Sequence, residues 1–70
     1  MDKDEERRLL ADLPVSARRV VERFTDYPRE KILDKLASGF RITICDSWYV
    51  EVNKGYTYYH IERSGRMYQV

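Results

Sequence analysis

His60 and Cys45 are the residues whose types most readily suggest chemistry, one as a base and the other as a nucleophile. Either needs a partner within hydrogen-bond reach. No serine or cysteine is spaced so as to stand beside His60, and Cys45 falls at the far end of the first strand. Glu51 and Glu62 could form a carboxylate pair, but a solvated sheet face with arginine neighbours does nothing to raise a carboxyl pKa. Gly39, Gly55 and Gly65 each stand alone, so there is no glycine-rich phosphate loop. A structural zinc needs four ligands in close-spaced pairs, and one cysteine with one histidine cannot supply them. The expectation is a protein without catalytic residues, metal or cofactor. The single cysteine also excludes an internal disulfide and fits a reducing, cytoplasmic setting.

What remains is contact chemistry. Tyr49, Tyr56, Tyr58 and His60, with Arg41 beside them, are expected on one face of a sheet as a half-apolar platform. Tyrosine offers a large contact area at little cost in rotamer entropy and is enriched at the centres of interfaces. Cross-strand pairs of such residues also stabilise a sheet without any partner. A second surface is the basic row Arg18, Arg19 and Arg23, which an ordinary solvated helix face also explains.

These side chains must be positioned by two kinds of element. From about Asp4 to Leu13 the chain is charged and helix-favouring, with its acids at the N-terminal end, where the helix dipole favours them. Pro14 interrupts, and a second helix is expected from Val15 or Ser16 to Asp26, with Ala17, Val20, Val21 and Phe24 on its apolar stripe. Asp26 or Tyr27 should cap a third helix with Pro28 in its first turn. That helix should run to about Ser38, with Ile32, Leu33, Leu36 and Ala37 inward and Gly39 as its stop.

From Phe40 the apolar period changes to two, which predicts an antiparallel meander over about residues 40–70. A three-residue loop at Cys45–Ser47 would place Ile42 opposite Val50 and Ile44 opposite Trp48. Two-residue loops at Lys54–Gly55 and Ser64–Gly65 would place Val50 opposite Tyr59 and Ile61 opposite Tyr68. All three put Phe40, Ile42, Ile44, Trp48, Val50, Val52, Thr57, Tyr59, Ile61, Tyr68 and Val70 on the inner face. Trp48 is then expected among the most buried residues, near Phe24, Leu33 or Leu36. The fold class is α+β: two to three helices over about 4–38, packed on one face of a three- to four-stranded sheet, in a single domain of 70 residues.

Net charge is +1, unevenly spread. Residues 1–6 hold four acids and one base, residues 7–41 nine bases and five acids, and the remainder three of each. This falls short of the basic footprint of a dedicated nucleic-acid binder. Three helices followed by a hairpin is nevertheless the order of a winged-helix domain, so nucleic-acid binding by the third helix, or by stacking on tyrosines, is the alternative. No apolar run is long enough for a signal peptide or a membrane span, and the chain reads as a whole small protein, monomeric or homodimeric. In size, apparent wholeness and lack of a catalytic motif it resembles small accessory proteins of phages and mobile elements, anti-CRISPR inhibitors among them. That resemblance is of scale and not of residues, and implies an inhibitor that docks on a larger protein or protein complex.

Overall fold

The computed structural model describes residues 2–70. Three helices come first, α1 (Lys3–Ala11), α2 (Val15–Arg23) and α3 (Asp26–Ala37). Four strands follow, β1 (Arg41–Cys45), β2 (Tyr49–Lys54), β3 (Thr57–Glu62) and β4 (Met67–Gln69), in one antiparallel sheet of order β1-β2-β3-β4.

Local chemistry accounts for the helix ends. The Asp2 side chain accepts from the Asp4 N–H at 2.9 Å, and Asp4, Glu5 and Glu6 fill the first turn of α1. Pro14 sits at the N-cap of α2, where its missing N–H is no loss. Arg18 ties down the chain where α1 ends: its Nε donates to Leu10 O at 3.1 Å, which also accepts from the Leu13 N–H, and its second guanidinium nitrogen donates to Leu13 O at 3.4 Å. Helix α3 starts on a strained residue, Asp26 at φ 51°, and carries Pro28 in its first turn. It stops at Gly39 (φ 95°), with Phe40 N–H bonded to Lys35 O and Gly39 N–H to Leu36 O, a Schellman closure.

The apolar stripes of α2 and α3 meet the inner face of the sheet. Val21, Phe24, Ile32, Val50, Val52 and Ile61 are completely buried and Leu33 nearly so, with Leu10 of α1 closing one side. Half-buried Leu9, Leu13, Val20, Leu36, Phe40, Ile42, Tyr59 and Met67 surround them. Ala37, expected inward, is exposed at the last position of α3, while Leu36 before it packs against the core.

The sheet corrects three expected registers. Between β2 and β3 the tip is Gly55–Tyr56, with Lys54 opposite Thr57 and Gly55 at φ 62°, the positive φ that a tight hairpin asks of its first tip residue. Val50 therefore pairs with Ile61 and Val52 with Tyr59. The shift is an even number of residues, so each side chain keeps its expected face. At β1–β2 it does not. Arg41 and Ile42 pair with Asn53 and Val52, but a bulge at Thr43 moves Ile44 opposite Glu51 and Cys45 opposite Val50. Ile44 thus turns outward, 41% exposed, and Cys45 turns in, its Sγ 3.8 Å from Ala17 O.

Trp48 is not buried: it is 74% exposed, at the tip of a turn closed by Asp46 N–H to Tyr49 O. The Asp46 carboxylate accepts from the Trp48 N–H and Ser47 Oγ, an Asx-type turn that holds the tip clear of the helices. At β3–β4 the loop has three residues, Arg63–Gly65, with Glu62 N–H bonded to Arg66 O and Gly65 at φ 101°. That odd shift puts Met67 opposite Ile61 on the inner side and brings Tyr68, expected inward, to the outer face opposite His60. Val70 lies beyond the strand and is exposed.

Candidate functional site

The outer face of the sheet, away from the helices, centres on His60. Its Nε2 lies 2.8 Å from Glu51 Oε2, directly across the β2–β3 pair. Glu51 is fixed in turn by Thr43 Oγ1, which donates to Oε1 at 3.2 Å. The other ring nitrogen, Nδ1, is 3.4 Å from the Tyr68 hydroxyl. Tyr49 packs on the His60 ring at 4.7 Å between centroids with a 31° tilt, and Tyr68 flanks it on the other side at 5.5 Å. Three adjacent strands thus carry a continuous Tyr49–His60–Tyr68 cluster. The Tyr68 phenol is held above its ordinary pKa, chiefly by desolvation among its neighbours and then by the Glu62 carboxylate.

The cluster is surrounded by partly open apolar surface. Tyr58 and Tyr68 are 39% and 37% exposed, and Ile44 adds its side chain at the β1 margin. Where the β1–β2 and β3–β4 turns approach, Arg63 N–H bonds to Trp48 O at 2.8 Å. Here Trp48, Tyr49, Glu62, Arg63 and Ser64 line an open depression of about 560 Å³. Arg66 lies over the Tyr68 ring at 5.0 Å, covering part of it.

Of the residues expected to bind, Tyr49, Tyr58 and His60 share this face, and Arg41 stands on it opposite Asn53. Tyr56 is at the tip of the β2–β3 hairpin, fully exposed and apart from the cluster. The basic row divides. Arg19 and Arg23 are exposed on α2, whereas Arg18 is drawn into capping α1. Sequence reasoning missed Tyr68 and Trp48 as members of the site, because both depended on turn lengths. A signal for Trp48 existed in Asp46 two residues before it, since aspartate at such a spacing forms a turn.

His60 and Cys45 lie on opposite faces of the sheet. Burial, and then the neighbouring Asp46, push the Cys45 thiol above its ordinary pKa, away from the thiolate a nucleophile needs. Among the described residues no three His, Cys, Asp or Glu side chains are grouped to hold a metal ion, and no helix is long and apolar enough to cross a membrane.

Helix α3 offers little to a groove. Lys31 donates to Gly65 O at 2.9 Å, Lys35 lies over the Phe40 and Tyr59 rings, and Arg29 pairs with Glu6 at 2.7 Å. Glu30 and Asp34 are left exposed on the same helix. Compared with known protein families, curated proteins and solved structures, the chain matches none of them.

Proposed function

We propose that this chain is a non-enzymatic protein-binding module that docks through the outer face of its sheet. One observation carries the reading: Tyr49, His60 and Tyr68 form a continuous ring cluster on the side of the sheet that no helix covers. Its central polar atoms are tied by Glu51 and Thr43, which leaves the His60 ring less freedom to lose when a partner arrives. Preorganised aromatic surface loses little conformational freedom on binding. The finer form of the proposal is an inhibitor of a larger protein complex, carried by a phage or mobile element. It is supported by small size and by the absence of a catalytic motif in the sequence.

Nucleic-acid binding through α3 is less well supported, since its basic side chains are engaged within the fold and its exposed ones include acids. The test is affinity capture from a lysate of the source cells, with and without nuclease. The full chain should retain a protein after nuclease treatment. A Tyr49→Ser/Tyr58→Ser variant should lose it by about 2 kcal/mol or more in affinity. An Arg19→Glu/Arg23→Glu variant should keep it. Normal capture by the tyrosine variant with loss in the arginine variant would move the interface to α2. Loss of all capture on nuclease treatment would favour nucleic acid.

A further inference from the structure

The outer face has an imbalance in its free valences. Its central carboxylate already has partners, since Glu51 is held by His60 and Thr43. Asp46, at the margin, accepts from Ser47 Oγ and the Trp48 N–H. The guanidinium groups at the same end do not. Among the described residues neither Arg63 nor Arg66 has a carboxylate within ion-pair distance, and Arg66 meets only the Tyr68 ring. Both arginines are exposed, and Arg63 lines the depression with Trp48 and Tyr49. Planar guanidinium donors next to an aromatic recess suit a carboxylate carried beside an apolar side chain.

We infer that the partner of this face is an acidic protein segment. One of its apolar side chains enters the Trp48–Tyr49 depression, and flanking aspartate or glutamate residues pair with Arg63 and Arg66. This rests on the sheet face being the docking surface. Single-stranded nucleic acid would also bring negative charge, but it binds by laying bases on open ring faces. Tyr49 and His60 are packed ring on ring, and one face of Tyr68 is taken by Arg66. These rings therefore offer edges and hydroxyls to a neighbour more than flat faces.

The experiment is a titration of the isotope-labelled full chain, followed residue by residue through its amide NMR signals. The probes are short synthetic peptides with one leucine, phenylalanine or tryptophan flanked by glutamates, the same peptides with lysine or glutamine in place of glutamate, and oligothymidylate. Glutamate-flanked peptides should shift the amides of Trp48, Tyr49, Arg63, Ser64 and Arg66, and the lysine and glutamine versions should not. Arg63→Glu/Arg66→Glu should weaken the acidic peptides by about tenfold, because two exposed charge pairs are lost and replaced by repulsion. Arg19→Glu/Arg23→Glu should leave them unchanged.

Equal or tighter binding of lysine- or glutamine-flanked peptides at those amides would overturn the acidic partner while leaving the sheet face as a docking surface. Oligothymidylate binding there would overturn it in favour of nucleic acid. Absence of any shift up to the solubility limit of the acidic peptides would also overturn it. Capture by the tyrosine variant, measured separately, judges the sheet face itself.

Discussion

Trp48 shows how far a single residue can stand from the role its type suggests. A tryptophan between two β-branched strands invites burial, yet the Asx turn at Asp46 holds it in solvent. Trp48→Ala should therefore change stability by less than about 1 kcal/mol in urea unfolding, as substitutions at open positions do. The same variant should weaken partner binding if the depression it lines is used. Cys45 is the converse case, a thiol turned in toward Ala17 and pushed up in pKa by burial and by Asp46. Its alkylation by iodoacetamide at mildly alkaline pH should be slower in the folded chain than in urea, since thiolate is the reacting species. The sign for stability follows. The folded thiol keeps its proton where the unfolded one loses it, so stability declines as pH rises through the ordinary thiol range. Alkylation equally fast in both states would show that Cys45 is not shielded.

At the scale of elements, much was legible in the sequence, and what was not has a physical cause. The stripes Ala17–Val20–Val21–Phe24 and Ile32–Leu33–Leu36 declared α2 and α3, because burial on a helix recurs with its period. Val50, Val52, Tyr59 and Ile61 declared the inner face of β2 and β3, and they hold it. Faces at the outer strands were hidden, since side-chain alternation says nothing about a bulge or about one more residue in a loop. The Tyr49, Tyr58 and His60 part of the candidate site was readable for that reason, and Tyr68 and Trp48 were not. Two substitutions probe the joints between elements. Arg18→Leu takes the charged donor from Leu13 O and leaves Leu10 O with its backbone donors alone, and should cost about 1–2 kcal/mol, whereas Arg19→Leu should cost almost nothing. Gly65→Ala places a β-carbon on a residue at φ 101° and should lower stability by about 1–2 kcal/mol in thermal melts. An Arg18→Leu protein as stable as the parent would show that water serves those carbonyls equally well.

For the whole molecule the margin is narrow, since a chain of this size holds a single core and no covalent staple. Phe24 is fully buried where α2 leads into α3 over the sheet, and its loss empties the middle of that core. Phe24→Ala should cost about 3–5 kcal/mol, comparable with all that a domain of this length commonly has. Far-UV and near-UV dichroism should then show helices and sheet lost together at temperatures where the parent is folded. Helices retained without the sheet would show that the two layers are not one cooperative unit. The bulge at Thr43 and the Arg63–Gly65 loop carry a consequence for descent. Gain or loss of one codon at either place would exchange inside and outside along an outer strand, while β2 and β3 kept theirs. Lineages parted by such an event would share the β2–β3 part of the interior and offer a partner different margins. Paired column by column, a solvent-facing residue of one would then stand against a buried residue of the other, and their kinship would be hard to see.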